Sequence, residues 1–289
     1  MKEILFFIVL LVFQLNAVAQ VLDAAKLESG DIFEQIKAGD YYLGIKSKYN
    51  HWTRDYQESH DNCIKWYTKA YENNSFVAAV KLGLMYFTFK SDGIKSNSIL
   101  VQAVRRYSNL TNADRQYLNQ NFDIKQEQLL AAAYYGLGWC NCGEKAAKNY
   151  SVAVDYFSKS ADLGNANAAE MAGLLYCLGY GTAQNYYQGA DYFTKSGTAR
   201  SKYLLGVLYY LGKGVSRDKN KAYNLWREST ETAAEHLVRS WRNGDIHVDN
   251  STYKAYITNA FFIHEGLDND YVRAELQKLM PFSYRFQRD

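Results

Sequence analysis

Small, apolar and aromatic positions recur along this chain with a period of about 33 residues, and that recurrence dictates how every local pattern is read. The run from Leu205 to Gly214, Leu-Gly-Val-Leu-Tyr-Tyr-Leu-Gly-Lys-Gly, repeats the run from Ala172 to Gly181 at an offset of 33. The segment Lys221 to Trp226 stands at the same offset from Gln188 to Phe193, and Val154 to Ala161 lies a further 36 residues back. An earlier copy, Trp66 to Ala70 followed by Ala78 to Tyr86, stands 90 residues upstream of that one. The apolar positions in each copy follow helical rather than strand spacing, which predicts pairs of antiparallel helices. In the first helix, Leu-Gly-x-x-Tyr puts a small residue where the second helix comes close and an aromatic one turn further on. Gly179/Gly181 and Gly212/Gly214 then end that helix with backbone at positive φ. Ser59, Asn149, Asn185 and Asp218 fall in register as N-caps of the second helices. Aromatic pairs at Trp66-Tyr67, Tyr156-Phe157 and Tyr192-Phe193, with Leu225-Trp226 in the last copy, would bury against the neighbouring hairpin.

These residues resemble the Sel-like repeat family, relatives of tetratricopeptide repeats, whose units follow A-x-x-x-L-G-x-x-Y-x-x-G-x-G-V-x-x-D-x-x-K-A-x-x-W. Leu205 to Trp226 keeps nearly every marked position, including Val215, Asp218, Lys221 and Ala222. At 131–143 the sequence departs from that pattern, with Asn141-Cys142-Gly143 where Tyr and the glycine pair belong. A degenerate copy follows at Leu237, Val238, Trp241 and Gly244, with Asn250 as its second N-cap. The resemblance implies an all-α fold, a right-handed α-solenoid of stacked helix-turn-helix repeats. The expected organisation is a signal peptide at 1–19, a lead-in and cap at 20–57, a repeat solenoid at 58–265, and a capping helix and tail at 266–289. Within the solenoid, 91–130 reads as an enlarged hairpin, with Leu100, Val101, Val104 and Tyr107 on one face of its first helix.

Composition changes the picture in two places. With 33 Lys+Arg against 30 Asp+Glu, a net +3 spread over 289 residues supplies no basic field for tracking along nucleic acid. A single proline, Pro281, against usage of about 5% in ordinary chains, suits helices and disfavours loop-rich β folds. At the N-terminus, Lys2, the apolar run Ile4 to Phe13 and Ala17-Val18-Ala19 predict a secretory signal cleaved before Gln20. Ten apolar residues fall short of the roughly 20 that span a bilayer, so the mature chain is expected in the periplasm or outside the cell, with no stable membrane insertion.

Candidate chemistry is sparse. His51, His60, Asp61 and Cys63 cluster in sequence but match no zinc spacing, and solvated residues ahead of a helix are the expected reading. His236, His247 and His264 are not placed beside any reacting group by sequence. Ser216-Arg217-Asp218-Lys219 has the Ser-x-x-Lys spacing of acyl-serine enzymes, yet the chain has neither Lys-Thr-Gly nor Ser-Asp-Asn. No catalytic residue, metal or cofactor is therefore expected. Cys63, Cys140, Cys142 and Cys177 allow three pairings. Cys142 and Cys177 occupy matching positions of adjacent first helices, which lie roughly 8 to 10 Å apart, beyond a disulfide's usual span. Buried free thiols are the alternative. Asn73, Asn109, Asn149 and Asn250 open Asn-x-Ser/Thr triplets, relevant only in a eukaryotic secretory pathway.

By the related tetratricopeptide pattern, the resemblance places Tyr135, Trp139, Glu170, Arg200, Tyr203 and Tyr210 on a concave groove of first helices. Tyr, Trp and Arg are typical interface anchors. The expected function is a non-enzymatic scaffold that binds a helical or extended protein segment. The contrasting reading is an envelope hydrolase or binder of peptidoglycan or β-lactam-like ligands, as implied for Cys-rich relatives of the family.

Overall fold

A computed structural model of the chain describes residues 22–46, 54–121, 123–142 and 149–229. The expected signal peptide, the degenerate unit and closing helix after 230, and His51, His236, His247, His264 and Asn250 lie outside the described residues. Twelve α-helices and no strand occur among the described residues: α1 (Ala24–Glu28), α2 (Ile32–Lys46), α3 (Arg54–Glu72), α4 (Phe76–Thr88), α5 (Gly93–Arg106), α6 (Asn112–Gln120), α7 (Gln126–Cys142), α8 (Tyr150–Asp162), α9 (Ala166–Leu178), α10 (Tyr186–Ser196), α11 (Ala199–Leu211) and α12 (Lys219–Arg227). They divide into two compact units, the first up to Lys148 and the second from Asn149.

In the first unit α2 pairs with α3 and α4 with α5, α7 packs on α4 and α5, and α6 lies against α2. In the second, α9 lies between α8 and α10, and α11 pairs with α12. Each pair closes at a glycine. A Cβ at Gly83 would fall 2.6 Å from the Leu100 side chain and one at Gly173 would fall 2.7 Å from the Phe193 ring. At Gly39 and Gly206 it would overlap the Tyr67 and Trp226 rings. The second member of each pair is the more deeply buried one: Tyr67, Phe157, Phe193 and Trp226 are all at 1% exposure or less.

The first repeat begins earlier than its sequence indicates. Because Gly39 receives Tyr67, α2 is the first helix of a hairpin whose second helix is α3. Ser59 is correspondingly not an N-cap: it lies buried inside α3. The other three N-caps stand as read. Asn149, Asn185 and Asp218 accept hydrogen bonds from Val152 N (3.2 Å), Gln188 N (3.1 Å) and Lys221 N (2.9 Å).

The turn between paired helices is the same construction twice. Gly179 and Gly212 end α9 and α11 in the left-handed region. Asn185 N then donates to Tyr176 O (2.8 Å), and 33 residues on Asp218 N donates to Tyr209 O (2.9 Å). Gln184 Nε2 reaches Cys177 O at 2.8 Å, as Arg217 Nε reaches Tyr210 O at 3.0 Å. The second glycines, Gly181 and Gly214, sit directly on the backbone of Tyr150 and Tyr186, the first residues of the preceding second helices. Both have positive φ (73° and 67°), and neither position has room for a side chain.

The stretch 91–130 is only partly an enlargement, because α5 serves α4 as an ordinary second helix and α6 is the added element. The buried face of α5 is Ser96, Ile99, Leu100 and Ala103, with Val101, Val104 and Tyr107 only partly covered. Its rotation follows from Leu100, which inserts between Gly83 of α4 and Gly136 of α7.

Candidate functional site

The second unit carries a buried carboxylate where two repeats join. Glu170 projects from α9, is 6% exposed, and accepts from Thr198 Oγ1 at 2.6 Å and Arg200 Nη1 at 2.9 Å. Ser201 Oγ lies 3.3 Å from the same carboxylate and 2.8 Å from Ser196 Oγ. Thr198 is the N-cap of α11, its Oγ1 accepting from Ser201 N at 3.1 Å. Glu170 thus orients the cap hydroxyl and sets a negative charge at the positive end of the α11 dipole.

The first unit carries two such centres. Asp114, fully buried on α6, takes Ser75 Oγ (2.6 Å), Phe76 N (3.1 Å) and Val77 N (3.1 Å) at the start of α4, and Thr111 N (3.0 Å) and Oγ1 (2.7 Å) at its own helix start. One carboxylate therefore caps two helices. In the second centre Asp40 of α2 binds Lys81 Nζ and Tyr67 OH, and accepts from Tyr117 OH at 2.6 Å. Lys81 Nζ also donates to Tyr117 OH at 2.7 Å and lies over the Tyr117 and Tyr67 rings. Burial pulls the Lys81 ammonium below its ordinary value, against the opposing pull of Asp40. Burial, then the Asp40 charge, pushes the Tyr67 and Tyr117 hydroxyls well above theirs.

Four helices, α2, α3, α4 and α6, converge on Asp40 and Lys81. Neither residue emerges from motif reading, although a lone lysine in the apolar run from Ala78 to Met85 is the signal that marks it.

The six residues expected on an open groove are placed differently. Tyr135 and Trp139 are each 3% exposed and meet edge to face at 6.0 Å between ring centres in the first unit. In the second unit Tyr203 is 1% and Tyr210 5% exposed. Tyr203 O receives the Trp226 indole N–H at 3.2 Å, and Tyr210 packs on the Trp226 ring at 5.6 Å. With Glu170 also buried, Arg200 alone of the six reaches the surface, its side chain one-third exposed. The first helices carry apolar residues nearly all round, so the stripe read as groove is taken up in packing rather than left open.

The His60 and Cys63 reading is likewise corrected: both are buried inside α3 rather than solvated ahead of it. His60 meets the Phe89 ring edge-on, and its Nδ1 lies 3.3 Å from Asp61 Oδ1. All four cysteines are free and buried, and the Cys142–Cys177 bond is not formed. Burial raises the thiols, Cys140 to about 11 and Cys142 to about 12. Ser216 is exposed in the turn before the Asp218 cap, while the Lys219 ammonium lies 5.7 Å from the centre of the Tyr210 ring. Among the described residues no three His, Cys, Asp or Glu side chains stand together as a metal site, and no helix is long and apolar enough to cross a membrane.

The Sel1 repeat model matches residues 38–75, 131–165, 166–199 and 199–231, the first stretch spanning the Gly39–Tyr67 closure. Among solved structures, a Sel1 repeat protein from Oxalobacter formigenes is similar at 19% identity and a TM-score of 0.59, over 95% of this chain and all of that one. A protective antigen of uropathogenic Escherichia coli with an SLR fold shares 20% identity at a TM-score of 0.45, over 88% of this chain and 56% of that one. An immunity protein from Pseudomonas aeruginosa shares 18% at 0.42, over 84% and 82%. At 19% identity the likeness to the Oxalobacter formigenes protein is one of fold. No curated protein matches the sequence.

Proposed function

We propose that this chain, which carries Sel1 repeats in an all-α fold of repeated helix pairs, is an exported protein that binds another protein and performs no chemistry of its own. The Sel1 fold is typically used for protein–protein interaction. The observation that carries the reading is the use made of buried charge. Asp40 with Lys81, Asp114 with its five donors, and Glu170 with Arg200 each tie one helix to others. A catalytic acid or base needs open access to a reacting atom, and these groups spend their bonding capacity on the fold. Export is supported by the N-terminal pattern ending in Ala17-Val18-Ala19.

The partner surface in this reading is the Arg200 end of the second unit, where a guanidinium held by Glu170 meets solvent.

A photo-crosslinking residue at Ala199, exposed beside Arg200, should capture a single protein in native cells, whereas one at Asp155 on α8 should not. In the crosslinked product this chain should begin at Gln20 and sit outside the cytoplasm. Equal capture at both positions overturns the surface, and an intact Met1 in the cytoplasm overturns export.

A further inference from the structure

The hairpin of α11 and α12 concentrates the positive charge of the chain. From Ala199 to Arg227 seven Lys and Arg stand against a single Asp, whereas over the rest of the chain acids outnumber bases. Arg200 and Lys202, near the start of α11, are paired with Glu170 and Glu228. At the other end Lys213, Arg217, Lys219 and Lys221 gather around the turn into α12. Arg217 and Lys221 are exposed, Lys213 is half-buried, and among the described residues none of these three has a carboxylate partner. Asp218, the lone acid, is committed to capping α12 through Lys221 N at 2.9 Å. The turn itself does not need this charge. One repeat back the same construction holds Tyr180, Gln184, Tyr186 and Gln188 at the matching positions, and Gln184 makes through Nε2 the contact that Arg217 makes through Nε. From Met171 to Ala190 that copy contains no Asp, Glu, Lys or Arg. Four cations therefore stand where an otherwise equal turn has four neutral residues, and like charges gathered this way only repel one another.

From this contrast we infer that the α11–α12 turn binds an acidic, extended segment of a partner protein. The Arg217 guanidinium lies 5.9 Å from the centre of the Tyr210 ring. The Lys221 ammonium lies 4.2 Å from that of Tyr209 and 2.6 Å from its hydroxyl. Successive residues of a helix point about 100° apart, so rings on neighbouring positions hold these two cations on different sides of the turn. Cations spread in this way match successive carboxylates along a chain rather than one small anion. The rings also steady both side chains before binding, which lowers the entropy lost on contact. A nucleic acid would need the charge to continue along the edge, and the neutral turn one repeat back ends it. The choice of a peptide rests on the protein-binding reading, but the turn stands at the opposite end of α11 from Arg200, so the two surfaces succeed or fail separately.

The test uses the full-length chain and isothermal titration at low ionic strength with hexaglutamate, beside hexaglutamine, an oligothymidylate and phosphatidylglycerol vesicles. Hexaglutamate should bind saturably and hexaglutamine should not. The combined variant Lys213→Tyr, Arg217→Gln, Lys221→Gln gives this turn the residues of its neutral counterpart. It should melt at the wild-type temperature and bind hexaglutamate about tenfold more weakly or worse. Lys221→Gln alone, at an exposed position, should weaken binding about threefold and keeps the comparison open if the combined variant unfolds. Lys159→Gln, on the exposed face of α8, should change nothing. The inference falls if hexaglutamate shows no saturable binding up to about 10 mM, or if these turn variants bind it as tightly as wild type. It falls equally if oligothymidylate or the vesicles bind more tightly than hexaglutamate and lose that binding in the combined variant. Any of these results beside capture of a single protein at Ala199 would strike this site and leave the protein-binding reading standing.

Discussion

Trp226 occupies the space that Gly206 leaves by having no side chain: the indole of α12 lies where a Cβ on α11 would stand, and its N–H is satisfied by Tyr203 O. Gly206→Ala should therefore force the two helices apart and cost about 1 to 3 kcal/mol, the usual range for overpacking. Gly93→Ala is the control, because a Cβ there meets nothing within 4 Å. It should be neutral or stabilise α5 slightly through helix propensity. Urea unfolding of the three proteins checks both, and a Gly206→Ala variant as stable as wild type would mean that the α11–α12 approach is looser than described.

Asp114 holds five donors from two helices, two of them backbone N–H groups of α4. Asp114→Ala strands these buried donors and should cost about 3 kcal/mol or more. Asp114→Asn keeps one accepting oxygen and should cost less. Amide exchange should rise first at Phe76 and Val77 and along α6, which loses its tie to α4.

Alkaline stability follows from the buried hydroxyls and thiols. Tyr67 and Tyr117 titrate well above 10 in the folded chain, and Cys140 and Cys142 near 11 and 12 against an ordinary 9. The folded state keeps protons that the unfolded state releases, so stability is fully present below about pH 9 and is lost as pH rises through and beyond that value. Lys81 and Arg106, held below their ordinary values, push the other way, while Cys177 and Tyr192 join the raised groups. Absorbance at 295 nm should show two tyrosines that ionise only as the chain unfolds, and native Cys140 and Cys142 should resist iodoacetamide at pH 8.

Glu170 and Arg200 form a partly exposed pair, and solvent screening limits their mutual contribution. A double-mutant cycle with Glu170→Gln and Arg200→Gln should give a coupling of about 1 kcal/mol or less, smaller again at about 0.5 M salt. Glu170→Ala should cost more, about 2 kcal/mol, because Thr198 Oγ1 also loses its acceptor. A coupling that ignores salt would place Arg200 deeper than its one-third exposure allows.

The parts of the fold written in short-range sequence were legible. Asn149, Asn185 and Asp218 cap helices through their own side chains, and Gly179 and Gly212 end helices through their own backbone. The parts that depend on a distant partner were not. Gly39 marks a first helix only because Tyr67 packs on it, and Ala38-Gly39-Asp40 carries none of the glycine pairs that flag the later copies. The groove stripe failed for a related reason: counting positions from the helix glycine gives the direction of a side chain but not whether a neighbour covers it. Trp226 lies against both Tyr203 and Tyr210. Lys81 was visible as an anomaly, yet its meaning required Asp40, 41 residues away.

Gly181 and Gly214, 33 residues apart, rest on the starts of the preceding second helices, so in the second unit one hairpin is keyed to the next by the same contact. Length in such a chain is quantised. Duplicating residues 182–214 would hand the next hairpin a glycine for Tyr186 and a Tyr186 for the following glycine, and the unit would grow by one turn of the same stair. Adding a single residue between Gly212 and Asp218 would leave both the Tyr209 carbonyl and the Gly214 seat out of step. A protein built this way can be lengthened, or shortened, only in whole steps.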